Sequence, residues 1–145
     1  MNIIVDLDGT IADCRHRKHF VINGYHDWKS FFESMVEDAP IQPIINLITK
    51  LYDHGDSIFL TTGRPDQYRD HTLDWLAKNT VHFNVLKMRR QYDYREDSIV
   101  KQEMLKELID EHGNIDLAID DRQSVVDMWR KNGIICLQNS MKELS

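Results

Sequence analysis

Apolar positions run along the chain in two rhythms. Short aliphatic blocks read as buried strands, and longer stretches repeat their apolar residues at helical spacing. Ile3-Ile4-Val5 is the first block, and it closes in Asp6-Leu7-Asp8-Gly9-Thr10. Trp28, Phe31, Phe32, Met35 and Val36 predict a helix that begins after an N-cap at Asp27, its aromatic stripe of a kind that most often packs into a core. Pro40 and Pro43 introduce another, with Ile44, Leu47, Ile48 and Leu51 on its inner face and Gly55 as its stop. A strand over 57–61 ends in Thr62-Gly63-Arg64-Pro65, and a helix covers about 66–78. The next strand is expected over 82–87, followed by Met88-Arg89-Arg90 and a polar loop to Asp97. Met104, Leu105, Leu108 and Ile109 mark a helix that stops at Gly113. Ile115 to Ile119 is a strand closed by Asp120-Asp121; Val125, Val126 and Trp129 belong to a helix reaching Gly133. Ile134 to Leu137 is the last strand, and the final eight residues read as a tail.

Five strands alternating with helices define an α/β fold, a parallel sheet covered on both faces. Such sheets bind ligands beyond the carboxyl ends of their strands, at the topological switch point. Asp6 and Asp8, Thr62 and Arg64, and Asp120 and Asp121 all fall at those ends. Scattered polar residues would occupy both ends equally, so this one-sided clustering argues for an active site.

Composition narrows the setting. The 145 residues suit one domain with a single core. A net charge of −6 argues against a general polyanion-binding surface but leaves room for a local basic patch. Cys14 and Cys136 have no CxxC or zinc-type spacing, so two reduced thiols in a cytoplasmic compartment are expected. The aliphatic run at the N-terminus is short and closes in aspartates, unlike a signal peptide, and no run has membrane-spanning length.

The opening stretch carries the chemistry. In extended backbone Asp6 and Asp8 point the same way, and two like charges that close favour a bound cation or one raised pKa. Gly9 permits a sharp turn whose amides can receive an anion. Together these features suggest phosphoryl transfer to Asp6, since an aspartate can be a nucleophile. The simpler reading is a strand ending in a solvated acidic turn. Arg64 offers a planar fork for phosphate oxygens beside Gly63, or is merely a turn residue before Pro65. Asp97 and Lys101 share a helix face, as a surface ion pair or as part of a phosphate site. Asp120 and Asp121, with Asp6, supply the hard oxygen ligands that Mg2+ prefers. Arg15, Arg17, Lys18, Arg89, Arg90 and Arg95 lie in two loops expected to form a basic rim around the site.

The strand followed by DxDGT resembles the first motif of the haloacid-dehalogenase (HAD) superfamily of phosphatases. DLDGT, TTGR, KMRR, DYREDSIVKQE and LAIDDRQSVVDMWRKNGIICLQ more closely resemble the 3′-phosphatase domain of phage polynucleotide kinase/phosphatase and its stand-alone phage and bacterial forms. The resemblance spans essentially the whole chain. It implies a HAD-like Rossmannoid sheet over 1–145, with residues 14–39 as a small cap inserted after the first strand. Asp6 is implied as nucleophile and Asp8 as general acid, then base; Thr62 and Lys101 as phosphate-site residues. Arg17, Gly63, Arg64, Asp97, Arg89 and Arg90 are implied around the substrate. Mg2+ is the implied cofactor, held by Asp6, Asp8, Asp120 and Asp121. The implied partner is a phosphorylated nucleotide or nucleic-acid end, in the host cytoplasm if the chain is phage-encoded. No G-x-x-x-x-G-K-[ST] occurs, so no ATP-binding kinase site is expected. Two rivals remain: a 5′(3′)-nucleotidase acting on free mononucleotides, and a non-catalytic phosphate-binding module.

Overall fold

The computed structural model describes residues 1–141. Its strands are β1 (Asn2–Asp6), β2 (Ala12–Asp13), β3 (Ala39–Pro40), β4 (Ser57–Pro65), β5 (Val85–Arg89), β6 (Leu117–Asp120) and β7 (Ile135–Gln138). Its α-helices are α1 (Trp28–Glu33), α2 (Gln42–Asp53), α3 (Arg69–Lys78), α4 (Asp97–His112) and α5 (Gln123–Lys131).

Five strands form one sheet in the order β5-β4-β1-β6-β7, and every pairing in it is parallel. The chain leaves β1 to build β4 and β5 on one side, then crosses back to add β6 and β7 on the other. The switch therefore falls at the carboxyl end of β1, where a crevice must open. Alternation along the strands feeds two cores. Ile3, Val5, Ile58 and Leu60 face one side with Ile45, Ile48, Trp75 and Leu76; Ile4, Phe59 and Ala118 face the other with Leu105, Leu108, Val126 and Trp129.

The structure corrects several local expectations. Residues 82–84 are not strand; β5 begins at Val85 and runs to Arg89. β4 does not stop at residue 61 but carries Thr62-Gly63-Arg64-Pro65 as strand, with a register shift between Thr62 and Pro65. That makes Arg64 an inward-facing strand residue, fully buried, and not a turn residue. In α2 Ile48 is buried and Ile44 and Leu51 pack against the core as expected, Ile45 joins them, and Leu47 is exposed instead. The aromatic stripe after Asp27 does not enter the core. Asp27 does cap the helix, accepting from the Ser30 amide at 3.1 Å, but α1 is only six residues long and none of them is buried. Trp28 and Val36 are exposed; Met35, in the 3-10 turn that follows, is the stripe residue that is buried. Six residues leave no helical length for a continuous stripe. The expected tail falls partly on β7, and from residue 142 onward it lies outside the described residues.

One pairing had no sequence signal. β2 and β3 form a two-stranded antiparallel ribbon, Ala12 opposite Pro40 and Asp13 opposite Ala39. It ties together the two ends of the segment that leaves the sheet after β1. Inside it lie a 3-10 helix (Arg15–Phe20), α1 and a second 3-10 turn (Ser34–Glu37).

Candidate active site

The turn after β1 is wound tightly around one carbonyl. The amides of Thr10, Ile11 and Ala12 all donate to the Leu7 oxygen, at 3.1, 2.9 and 3.0 Å, and the Gly9 amide donates to the Ala12 oxygen at 2.8 Å. These four amides are spent on closing the turn, so they do not form the anion nest expected from the glycine. Gly9 has another reason to be glycine. Its φ is +86°, and a Cβ there would land on the Asp121 carboxylate.

The turn sends Asp6 and Asp8 to separate partners. Asp6, at the end of β1, accepts from Lys101 Nζ at 2.7 Å and from Thr10 Oγ1 at 3.0 Å. Lys101 reaches it from α4 and also donates to Asp120 Oδ2 at 2.9 Å. Trp129 Nε1 donates to that same Asp120 oxygen at 3.2 Å, and the Asp121 amide holds Asp120 Oδ1 at 2.8 Å. Burial and the neighbouring Asp120 charge push the Asp6 carboxyl well above the usual carboxylate range, although Lys101 opposes them. Burial also pushes Asp121 up. Burial alone would favour neutral Lys101, but Asp120 and Asp6 outweigh it and keep the ammonium charged.

Asp8 lies on the other side, gripped by two buried arginines. Arg64 Nη2 donates to Asp8 Oδ1 at 2.6 Å, and Arg17 Nη2 donates to the same oxygen at 2.8 Å. Burial would raise the Asp8 carboxyl, yet Arg64 and then Arg17 overcome it and hold it at about 2. Behind both arginines sits Asp38, a residue with no motif to mark it. It accepts from Arg17 Nε and Nη2, both at 2.8 Å, lies 3.4 Å from Arg64 Nη2, and meets His16 Nε2 at 2.6 Å. It stands two residues before Pro40, where no motif or periodicity singles it out. Its side chain is wholly buried, so its charge requires these partners.

Among the described residues, Asp6, Asp120 and Asp121 bring carboxylate oxygens within 4.8 Å of one another. The donor set is oxygen alone, with neither imidazole nor thiolate, and Lys101 bridges two of the three acids, Asp6 and Asp120. A hard divalent cation fits such a set. The Asp8 side chain, also expected at the metal, is engaged by its arginines instead.

The remaining expected residues sort as follows. Thr62 is buried and its Oγ1 accepts from the Arg64 amide at 3.1 Å. Asp97 and Lys101 share a face of α4, but each takes other partners. Asp97 accepts from Arg89 and from Arg122 Nη1, the latter at 2.7 Å. A Cβ on Gly63 would lie 2.5 Å from Asp97 Oδ1, which is why a glycine stands there. Arg122, exposed and next to Asp121, escaped the sequence reading because an arginine after two aspartates has many ordinary roles.

The basic rim is not the open one expected. Arg17 is fully buried on Asp38 and Asp8, and Arg89 is buried against Gly63 O, Asp93 O and Arg95 O. Arg15 chelates Asp13, and Arg95 is bound by Asp93 and Glu103. Arg90 remains exposed, and Lys18 lies with Arg15 along a cleft beside Gly9, Asp121 and Asn139. Acids beside Arg15 and Arg95 in sequence, and acids brought to Arg17 and Arg89 by the fold, neutralise most of a cluster that looked cationic when only its basic members were read.

An aspartate at the end of the central strand, a second two residues on, a strand hydroxyl, a helix lysine and a downstream acid pair are the site of a phosphatase of the HAD type. The model of the polynucleotide kinase PNKP phosphatase domain family matches residues 1–143, and the chain belongs to that family. Two solved structures of the Pnkp1/Rnl/Hen1 RNA repair complex each contain a similar chain, 31% identical over 94% of this one, with TM-scores of 0.78 and 0.74. This chain spans only 41% and 45% of those chains. The fold is shared more widely. A class C acid phosphatase from Bacillus anthracis with tungstate bound matches at 16% identity and TM-score 0.67, covering 97% of this chain and 67% of its own. A hydrolase from Streptococcus pneumoniae TIGR4 matches at 15% identity and TM-score 0.65, over 94% of this chain and 90% of its own. Among the described residues no helix is long and apolar enough to cross a membrane.

Proposed function

We propose that this phosphatase hydrolyses a phosphate monoester at a nucleic-acid 3′ end or on a nucleotide, through an aspartyl-phosphate on Asp6. The observation that carries the reading is the division of labour between the two aspartates of one turn. Asp6 faces Lys101 and the acid pair, and Asp8 faces Arg17 and Arg64. Asp6, raised by burial and the Asp120 charge, would be freed as a nucleophile by a divalent cation at the acid cluster, while Asp8 is held by its two arginines in position for acid–base work.

In this mechanism an Asp6 oxygen attacks phosphorus while Lys101, already in contact, offsets the charge that gathers there. Arg17 and Arg64 fix the Asp8 carboxyl beside the leaving oxygen. Arrival of the phosphate places like charge near Asp8, which raises its proton affinity, so that it takes up a proton from solvent or from the monoanionic ester and passes it to the leaving oxygen. Asp8 then takes a proton from the water that hydrolyses the acyl phosphate, returning Asp6. Mg2+ held by Asp6, Asp120 and Asp121 would supply positive charge to the phosphoryl oxygens.

The 3′-end substrate draws support from the family and from the likeness to chains of an RNA repair complex. One observation favours the rival substrate, a free mononucleotide: the internally spent arginines leave less basic surface for a phosphodiester chain than the sequence promised. Phosphate release from 3′- and 5′-phosphorylated oligonucleotides and from 3′- and 5′-mononucleotides, at low and high salt, separates them. A 3′-phosphorylated oligonucleotide should be turned over best, with an advantage that shrinks as salt rises. Equal or faster hydrolysis of mononucleotides at low salt would transfer the assignment to a nucleotidase. No release from any of the four would overturn both.

A further inference from the structure

The segment between β2 and β3 carries a group of aromatic rings that the core does not use. Trp28 stacks on Phe32, with centroids 6.0 Å apart at 26°, and Phe32 stacks in turn on Tyr68 from the far side of β4, at 5.1 Å and 30°. Phe31 braces the group edge-on, at 5.6 Å from Trp28 and 5.2 Å from Phe32. Trp28, at the open end of this tier, is 50% exposed. A six-residue helix has little stability of its own, so these contacts hold the rings in place.

The tier is wired to the acid–base side of the site. Arg17, which donates to Asp8, also donates from Nη1 to the Phe31 carbonyl at 3.2 Å, and its Cζ lies 4.4 Å from the centre of the Phe31 ring. In the mechanism proposed above the leaving oxygen departs on the Asp8 side, which places the group that carries it on the side of Arg17 and Phe31. For a nucleoside 3′-phosphate that group is a sugar bearing a flat, π-rich base.

We propose that the exposed face of Trp28 is a stacking platform for the terminal nucleobase of the substrate. The inference rests on the nucleotidyl-ester reading above but holds for an oligonucleotide end and a mononucleotide alike. Every base has a π-face, so the platform contributes affinity with little sequence preference. A rigid tier, packed before the substrate arrives, adds that affinity at small entropic cost. Aliphatic docking surfaces bind proteins through area; a single half-open indole backed by stacked rings suits one planar ligand.

The test uses two 3′-phosphorylated oligonucleotides, one ending in a normal nucleotide and one whose last residue is an abasic tetrahydrofuran. Wild type should favour the base-bearing end, chiefly through KM. Trp28→Ala should shrink that preference by roughly five- to a hundred-fold, the range a stacked base commands, and Trp28→Phe should restore much of it. A loss equal on both substrates would mean that Trp28 only holds α1 in place, and the platform would be rejected while the phosphatase reading stood. Absence of turnover of either oligonucleotide by wild type would instead count against the substrate reading itself. A second measurement avoids any folding defect in Trp28→Ala. Trp75 and Trp129 are buried, so the accessible indole emission comes from Trp28. In Asp6→Asn protein the base-bearing oligonucleotide should quench that emission and the abasic one should not; equal quenching, or none, refutes stacking.

Discussion

Arg64 and Asp8 meet across fifty-six residues of sequence through two nitrogens, Nη2 at 2.6 Å and Nε at 3.1 Å. Arg64 is wholly buried, and no other residue type presents that planar fork. Arg64→Ala would leave Asp8 and Asp38 with less compensation in a dry setting. Removing one partner of a buried pair costs about 3–5 kcal/mol, so Tm should fall by roughly 10 °C. Arg64→Lys should rescue little of this, because an ammonium cannot reproduce the bidentate contact. Thermal unfolding of the two variants checks both statements.

The two opening aspartates should fail differently. Asp6→Asn should yield neither product nor an acid-stable phosphoenzyme. Asp8→Asn should lose the acid–base contribution, roughly 10²–10⁴-fold in rate. That loss should be smallest on p-nitrophenyl phosphate, whose leaving group needs little protonation. Equal losses on good and poor leaving groups would remove Asp8 from the acid role.

Chelation should abolish turnover, and Mg2+ should restore it. Binding can be read without catalysis, since a ligand of the folded state at a hundred times its Kd raises stability by about 2.7 kcal/mol. Asp121→Asn should weaken that rise. Gly9→Ala should do the same, because its methyl would displace the Asp121 carboxylate. A metal-induced rise in Tm left intact by both substitutions would locate the cation elsewhere.

Two pH effects follow from local charge. Hydrogen bonds from Arg95 hold the Asp93 carboxyl at about 2, below its ordinary 3.8. A depressed carboxyl stabilises the fold fully above its unfolded value, and the contribution disappears as pH falls through about 2. Carboxyl NMR titration should show that low midpoint, and Arg95→Gln should return it toward 3.8. Burial raises the thiols of Cys14 and Cys136 to about 12 and about 11. At pH 8 both should react with a disulfide reagent only after denaturation.

The sheet was legible because its strands are continuous aliphatic runs, the signature of burial on both faces. Asp6, Lys101 and Asp120 were legible because fixed motifs place them at strand ends or on a helix face. Two kinds of feature were not. Asp38 gains its importance from arginines twenty-one and twenty-six residues away, a relation that exists only in three dimensions. The ribbon of β2 and β3 pairs two residues with two, too short for any periodicity to register. The aromatic stripe left its own burial undecided for a related reason. Helical spacing shows that side chains share a face, and burial depends on whether anything covers that face.

The ribbon has a further consequence. It closes an excursion of some two dozen residues with a clasp at its base, and Arg17 and Asp38 lie just inside that clasp. The cost of closing a loop grows only slowly with its length, about 0.6 kcal/mol per doubling. The exposed stretch 22–26, ahead of the Asp27 cap, can therefore lengthen, shorten or change character without disturbing the sheet or the Arg17–Asp38 anchor. On the stacking-platform proposal, changes confined to the part of the excursion that carries Trp28 would alter what the site accepts while Asp6, Lys101 and Asp120 stay as they are.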